Sequence, residues 1–164
     1  MQYERVLVGF DGSSYSKKAL KAAESMAKHY GAKLYVVYVE EPSVINQRES
    51  LLLSEASGPD IVEAPVYHVS PLANVAQSNN EPTEPKMEPT PLDAARNQLG
   101  EQIEAEFVWL SGNPTTEIIK YARFNEIDVI VVGKSGVTGM EQLFMGSVSK
   151  NIVKKADCSV VVIK

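Results

Sequence analysis

The residues of this sequence whose types and spacing could do chemistry lie in its last third. The segment Gly133–Gly136 follows an apolar run, and after nine further residues comes the segment Gly146–Ser149. Because glycine carries no Cβ, backbone N–H groups beside it can approach a ligand closely. The second segment is predicted to open a helix, where unpaired N–H groups and the positive end of the helix dipole favour a phosphate. The spacing therefore predicts a nucleotide site made from backbone groups.

Motifs that would indicate catalysis are missing from the sequence. Gly133 and the two residues after it look like the end of a Walker A loop, but the required glycine five positions earlier is Asp128. No Gly-x-Gly-x-x-Gly follows the first apolar run, and neither HExxH nor Gly-x-Ser-x-Gly occurs. His29 and His68 are isolated, and we interpret them as a helix-end residue and a loop residue. We therefore predict ligand binding, with no catalytic residue and no metal ligand from the protein.

Composition narrows the class of protein further. The chain has 164 residues and a net charge of −5, so it offers no basic surface for nucleic acid or for an acidic membrane. No apolar run approaches the roughly 20 residues that cross a bilayer, and the amino terminus enters a strand without a signal peptide. We expect a single cytoplasmic domain over residues 1–164. The single cysteine, Cys158, excludes an internal disulfide, and we expect a small buried residue there rather than a redox group.

The first forty residues read as a strand, a helix and a strand. Arg5–Phe10 is an apolar run of strand length, and Asp11 and Gly12 form a turn after it. Either Ser13 or Ser14 is the expected cap of a helix that ends before Gly31. Leu34–Val39 is the second strand, which completes a right-handed βαβ unit.

A proline-rich insertion, residues 40–91, interrupts this alternation. Glu49–Ala56 is a candidate short helix, Ile61–Val69 a short extended piece, and Ser70–Pro91 a long loop. A long loop beside a site can serve as a lid or as a surface for a protein partner. The alternative is a surface insertion that the fold tolerates.

The alternation resumes after the insertion. The remaining expected elements are a helix with the stripe Leu92, Ala95, Leu99 and Ile103, a strand at Phe107–Leu110, a helix from Pro114 or Thr115, a strand at Asp128–Val132, a helix from Gly146 and a strand at Ser159–Ile163. This order predicts a doubly wound, five-stranded parallel sheet with helices on both faces. Ligands bind such sheets where the winding reverses. Strand order 3-2-1-4-5 would bring Asp11 and Gly12 to the same crevice as Gly133 and Gly136.

The glycine spacing in this context resembles the universal stress protein family. Val6–Ser13 is similar to the family's first strand and acidic turn, and Cys158–Ile163 is similar to its final strand. Gly112–Ile118 together with Ile127–Gly133 is similar to its third helix and fourth strand. The resemblance covers about two-thirds of the chain and leaves out residues 40–91. This sequence has Ser135 where the family often has a basic or bulky residue, and Ser159 where it usually has proline.

The resemblance implies an adenine nucleotide alpha hydrolase-like fold and a homodimer that binds ATP. By analogy, Asp11 lies against the adenosine, the backbone of Val39 borders the adenine, and the Ser147 and Ser149 hydroxyls hold phosphates. The candidate binding residues are Asp11, Gly12, Val39, Gly133, Lys134, Ser135, Gly136, Gly146, Ser147, Val148 and Ser149. A Mg²⁺ ion held mainly by phosphate oxygens is expected with them. Strand five, Ser159–Ile163, would pair with its copy in a second subunit and cover an apolar edge.

The function predicted from the sequence is that of an ATP-binding regulatory protein of the stress response, with at most slow hydrolysis. The alternative is an interaction scaffold of the same fold that binds no nucleotide and recognises an unknown protein through residues 40–91. A nucleotidyl transferase of related architecture is a third hypothesis, against which the missing catalytic base argues.

Overall fold

The computed structural model describes residues 2–42, 90–100, 103–135 and 145–164. Within these ranges the chain alternates between strands and helices. The elements are β1 (Arg5–Gly9), α1 (Ser14–Tyr30), β2 (Lys33–Glu40), α2 (Pro91–Arg96), β3 (Ala105–Ser111), α3 (Pro114–Phe124), β4 (Val129–Gly133), α4 (Ser147–Lys155) and β5 (Ser159–Ile163).

All five strands are parallel and form one sheet in the order β3-β2-β1-β4-β5. The predicted fold class and strand order are therefore confirmed. β1 is the central strand, and its Val6 pairs with Leu34 of β2 on one side and with Val129 of β4 on the other. The chain winds outward from β1 to β3 and then returns to β4. The reversal of winding consequently lies between β1 and β4.

Side chains of β1 alternate between two cores, one on each face of the sheet. Val6 and Val8 pack in the core that α1 and α2 cover, whereas Leu7 packs in the core that α3 and α4 cover. Each of these three side chains is fully buried, which contributes about 1.5–3 kcal/mol apiece relative to an exposed position. β4 is buried along its whole length, as expected for a strand with helices over both faces.

The ends of the helices follow the expected capping chemistry. α1 is capped by Ser13, whose Oγ accepts the N–H of Ser16 at 3.1 Å. It ends at Gly31, whose φ of +66° is a left-handed conformation that glycine adopts without strain. α3 begins at Pro114 with Asn113 as its cap. The cap of α1 is therefore Ser13 and not Ser14, and the first residue of α3 is Pro114 and not Thr115.

The second helix is shorter than the prediction. Its apolar stripe was expected to continue through Leu99 to Ile103, but the helix ends at Arg96. Leu99 and Ile103 still pack against the core on the α1 side, so the stripe correctly marks buried positions and not helical ones. Beyond the helix, the N–H of Gly100 donates to Oε1 of Glu24 on α1 at 3.1 Å. Gly100 also disfavours continuation of the helix, by up to about 1 kcal/mol relative to alanine.

The predicted insertion lies mostly outside the described residues. The candidate pieces Glu49–Ala56 and Ile61–Val69 fall entirely outside them, as does most of the predicted loop Ser70–Pro91. At its two ends, Glu40 is the last residue of β2 and Pro91 the first of α2. No helix in the described part of the chain is long and apolar enough to cross a membrane.

One carboxylate ties the start of the chain to the start of β4. Oδ2 of Asp128 accepts the N–H of Glu4 at 2.8 Å and that of Arg5 at 2.9 Å. The N–H of Asp128 in turn donates to the carbonyl of Arg5 at 3.1 Å. Asp128 was expected inside the fourth strand but precedes β4, where it fixes the register of β1 against β4.

Candidate functional site

The carboxyl ends of β1 and β4 lie side by side at the centre of the sheet. Val8 of β1 pairs with Val131 of β4, and the chain continues from these strands into Asp11–Gly12 and Lys134–Ser135 respectively. Parallel strands end at the same edge of a sheet, so both turns leave the sheet at the crevice where the winding reverses. Gly136, which was predicted to share this crevice, lies outside the described residues.

The turn after β1 presents a carboxylate at the crevice. Oδ1 of Asp11 accepts the N–H of Ser13 at 3.0 Å, which fixes the half-buried side chain next to the start of α1. Oδ2 of Asp11 has no hydrogen bond to the described part of the chain. Gly12 has a φ of +80°, and a Cβ there would meet nothing within 4 Å. The turn therefore needs glycine at this position for its backbone conformation and not for space.

Gly133 is needed for helix packing. It is the last residue of β4, and a Cβ on it would lie 2.7 Å from the carbonyl carbon and 2.8 Å from the Cβ of Tyr15 in α1. Only a residue without a side chain allows the first turn of α1 to approach β4 this closely. The sequence argument gave a different reason for this glycine, namely the approach of a ligand.

The loop after β4 is closed at its base by backbone hydrogen bonds. The N–H of Lys134 donates to the carbonyl of Ile163 at 2.7 Å, and the carbonyl of Lys134 accepts the N–H of Gly146 at 2.8 Å. These bonds join the end of β4, the end of β5 and the start of α4. The start of α4 is consequently held beside the carboxyl end of the central strands.

The amino terminus of α4 offers backbone donors to the crevice. Its cap is Gly146, whereas Ser13, Thr90 and Asn113 cap the other three described helices with side-chain oxygens. The first backbone bond of α4 runs from Lys150 N–H to the Gly146 carbonyl at 3.0 Å. The N–H groups at positions 147–149 have no acceptor among the described residues. Together with the helix dipole they form a positive, donor-rich end that suits an anion.

The two predicted serine hydroxyls are placed differently. Ser147 is exposed, and its hydroxyl lies at the open end of α4. Ser149 is only 6% exposed, and its Oγ donates to the carbonyl oxygen of Gly133 at 2.6 Å. A hydroxyl carries a single hydrogen. That of Ser149, which was expected to hold a phosphate, is used within the protein.

The carboxyl end of β2 forms the other side of the site. Val39, the residue predicted to border adenine, is half-buried and pairs with Leu110 of β3. Its neighbour Tyr38 points to the other face of the sheet and makes an edge-to-face contact with Trp109, with ring centroids 5.1 Å apart. Burial raises the pKa of the Tyr38 hydroxyl, and the negative charges of Glu40 and Asp11 raise it further. The sequence analysis missed this aromatic pair, although its signal was two aromatic residues near the ends of neighbouring strands.

Metal-binding chemistry is not evident in the described ranges. There, no three His, Cys, Asp or Glu side chains converge in a way that could hold a metal ion.

A cavity of about 280 Å³ lies at the other end of the sheet from the crevice, where the strands begin. It is located at the amino ends of β4 and β5, where Ile127, Ile130 and Cys158 line it. Arg123 and Asp157, which also line it, form an ion pair of 2.6 Å, and burial raises the pKa of the Cys158 thiol. The cavity is separate from the crevice and includes none of the predicted binding residues.

The fold and the crevice define an α/β protein whose candidate ligand site lies at the switch point of a doubly wound sheet. The chain belongs to the universal stress protein family, whose model matches residues 2–164. It is 29% identical to universal stress protein YxiE of Bacillus subtilis, with 99% of each chain covered. It is 30% identical to universal stress protein MJ0531 of Methanocaldococcus jannaschii, over 99% of this chain and 82% of that protein.

Solved structures of the family share the fold. Universal stress protein UspA from Lactobacillus plantarum matches with a TM-score of 0.66 and 23% identity, over 100% of this chain and 99% of that one. A universal stress protein in complex with cAMP matches with a TM-score of 0.58 and 21% identity, over 99% and 98%. One from Archaeoglobus fulgidus in complex with dAMP matches with a TM-score of 0.57 and 19% identity, over 100% of both chains. These structures show the fold, and the family model with the two relatives above makes the chain a stress-response protein of this family.

Proposed function

We propose that this protein is a cytoplasmic, ATP-binding regulator of the stress response that acts as a homodimer. The observation that carries the proposal is the start of α4, which has glycine as its cap and is held beside the end of β4. Its N–H groups at positions 147–149 form a ready anion site opposite the Asp11 turn. The two family structures solved with cAMP and dAMP support an adenine nucleotide as the ligand.

In the proposed complex the phosphates lie against the first turn of α4. The N–H groups at positions 147–149 and the Ser147 hydroxyl supply the donors, and the loop Gly133–Gly136 runs along the ribose and phosphates. The helix dipole adds roughly 0.3–1 kcal/mol for each favourable charge. Oδ2 of Asp11 accepts a hydrogen bond from the nucleoside, and the backbone conformation of Gly12 keeps the Asp11 turn beside the nucleoside. The backbone of Val39 borders the base. Mg²⁺ is held mainly by the phosphate oxygens.

The proposed role is binding and not turnover. The residues at the crevice are backbone donors, hydroxyls and one carboxylate, and no nucleophile paired with a base lies among the described ones. Nucleotide occupancy would then signal by stabilising one state of the protein, with any hydrolysis slow. A product assay showing rapid turnover of ATP would contradict this part of the proposal.

A thermal-shift experiment tests nucleotide binding. Ligand that binds only the folded state at 100 times its Kd stabilises it by about 2.7 kcal/mol. For a domain of this size that corresponds to a rise in Tm of about 5–10 °C. We expect ATP with Mg²⁺ to raise Tm and adenosine to raise it less, because adenosine lacks the phosphates. No shift at millimolar ATP would refute the proposal, and mass spectrometry of nucleotide released from the purified protein would identify the ligand.

The proposed dimer forms through β5. All five residues of Ser159–Ile163 are half-buried, so this apolar edge strand is only partly covered within one chain. Ser159 N–H donates to Asp128 and the Ile163 carbonyl accepts from Lys134, both on the β4 side. Backbone groups alternate in direction along a parallel strand. Those of Val160 and Val162 therefore point to the open edge, where a second copy would pair and remove an aggregation-prone surface.

Proline substitution tests the dimer. Val160→Pro removes an N–H that faces the open edge and leaves the bonds to β4 intact, so we expect a folded monomer of 18.0 kDa in sedimentation experiments. Val161→Pro is the matched control, because it removes an N–H on the β4 side and should destabilise the fold itself. A dimer that survives in folded Val160→Pro would contradict pairing through β5.

The scaffold alternative depends on residues 40–91, most of which lie outside the described residues. Deletion of residues 70–89 tests it without removing Thr90, which caps α2. Loss of partner binding with unchanged ATP affinity would favour the scaffold.

A further inference from the structure

We propose that Ser149 is a positioning residue of the nucleotide site. Its side chain fixes the amino terminus of α4 relative to the end of β4 and in this way sets the affinity for the phosphates. The inference rests on the proposed function, because the ligand is the nucleotide proposed above. It assigns Ser149 a role different from the direct phosphate contact that the sequence pattern implies.

The contact that carries the inference joins two elements of the site. Ser149 Oγ donates to the Gly133 carbonyl oxygen at 2.6 Å, which is short within the normal range for O–H···O bonds, and the side chain is buried. Ser149 belongs to the first turn of α4, and Gly133 is the last residue of β4. The bond therefore connects the turn that carries the phosphate donors directly to the sheet.

The acceptor of this bond is itself held in place. Gly133 pairs with Ile163 of β5, and its Cα side packs against Tyr15 so closely that a Cβ would lie 2.7 Å from backbone. Movement of Gly133 toward α1 is consequently blocked. A hydroxyl bonded to its carbonyl is tied to a point that α1, β4 and β5 all fix.

A second bond to α4 shows what Ser149 adds. The Gly146 N–H donates to the Lys134 carbonyl at 2.8 Å, which fixes the start of the helix at one point. Further along the helix, the fully buried side chain of Ile152 packs α4 against the core. The Ser149 bond is a second polar attachment, three residues along from the first, and it lies within the turn that carries the N–H groups at 147–149. Hydrogen-bond donors that are already fixed in the ligand-free protein bind a ligand more tightly, because less conformational entropy is lost on binding.

The test compares Ser149→Ala with a matched variant, Ser16→Ala. Ser16 is also a buried serine in the first turn of a helix, and its Oγ donates to the Ser13 carbonyl at 3.0 Å, but both partners belong to the start of α1. Both variants lose one hydroxyl-to-carbonyl bond. Only Ser149→Ala should change the attachment of α4 to β4.

Two measurements decide the outcome. In the ligand-free protein, hydrogen exchange at Lys150 and its neighbours in α4 should become faster in Ser149→Ala and stay unchanged in Ser16→Ala. Titration with ATP should show about tenfold weaker binding for Ser149→Ala, the scale of one lost hydrogen bond, with adenosine binding unchanged. Ser149→Thr keeps the hydroxyl, so both the exchange rate in α4 and the affinity for ATP should return to their wild-type values. If Ser149→Ala does not fold, Ser149→Cys is used in its place, because its slightly larger side chain fills the site and its thiol is a weaker donor.

Each contrary result has a distinct meaning. Weaker ATP binding with unchanged exchange in the ligand-free protein would make Ser149 a direct phosphate ligand and overturn the proposal. Faster exchange with unchanged ATP affinity would reduce Ser149 to a structural residue and also overturn it. If the wild-type protein itself binds no ATP, the proposed function fails, and this inference fails with it whatever the variants do.

Discussion

Replacing Gly146 with aspartate should make the protein more stable and weaken its binding of ATP. The φ and ψ of Gly146, −60° and 155°, are open to any residue and match those of Ser13, which are −65° and 163°. An aspartate there can adopt the same capping geometry and accept the N–H of Ser149. The carboxylate would then occupy the anion site that the proposed function assigns to a phosphate.

The two effects of Gly146→Asp can be estimated separately. Replacing a glycine cap by aspartate gains a few tenths of a kcal/mol, and a negative charge at this end of the helix gains roughly 0.3–1 kcal/mol. The sum of about 0.5–1.5 kcal/mol should raise Tm by roughly 1–6 °C for a domain of this size. Against ATP, two like charges about 4 Å apart repel by about 4 kcal/mol at an effective dielectric constant near 20. That repulsion corresponds to an increase in Kd of nearly a thousandfold.

Gly146→Asn is the matched control, since asparagine caps a helix as well as aspartate but carries no charge. Calorimetric titration with ATP and thermal melts of the ligand-free proteins should be made on both variants and on the wild type. We expect both variants to melt higher than the wild type, and Gly146→Asp to bind ATP much more weakly than Gly146→Asn. Equal ATP affinity in all three proteins would refute the placement of phosphate at the start of α4.

Three further predictions concern packing, acid stability and thiol reactivity. Gly133→Ala should destabilise the protein by about 1–3 kcal/mol in denaturant melts, because its Cβ meets the Tyr15 backbone at 2.7 Å; an unchanged midpoint would contradict that contact. The hydrogen bond from Lys28 lowers the pKa of Glu24 below its ordinary 4.5, so its contribution to stability is present above that pH and is lost as pH falls through the lowered pKa. Melts between about pH 3 and 6 should therefore show a shallower acid dependence for Glu24→Gln than for the wild type. Burial raises the pKa of Cys158, so iodoacetamide should alkylate it more slowly in the native than in the unfolded protein, and equal rates would show the thiol to be open.

The sheet and its order could be predicted because the sequence pattern is local and repeated. Apolar runs such as Arg5–Phe10 and Asp128–Val132 have strand length, and the helices between them carry their own caps and end signals. The rule that ligands bind where winding reverses then places Asp11 and Gly133 at one crevice. Each of these steps uses neighbouring residues or a general rule of parallel sheets, so one sequence was sufficient.

What the sequence did not predict depends on contacts between distant segments. The chain after α2 is held against α1 by a bond from Gly100 to Glu24, 76 residues away, which no local pattern reveals. The reason for glycine at 133 is the backbone of Tyr15, and the partner of Ser149 is the carbonyl at 133. The pattern of residue types shows that these positions have a structural or functional role, but the role itself follows only from the contacts that each residue makes in the folded chain.

The central position of β1 has a consequence for how the chain matures. β1 is made before the other four described strands, yet its partner β4 begins at Val129, and the Asp128 carboxylate that holds Glu4 and Arg5 comes just before it. While a ribosome synthesises the protein, one side of this central strand therefore remains unpaired until Val129 and the residues after it have emerged. Nascent chains at that stage expose an apolar strand edge, the kind of surface on which aggregation begins and chaperones act.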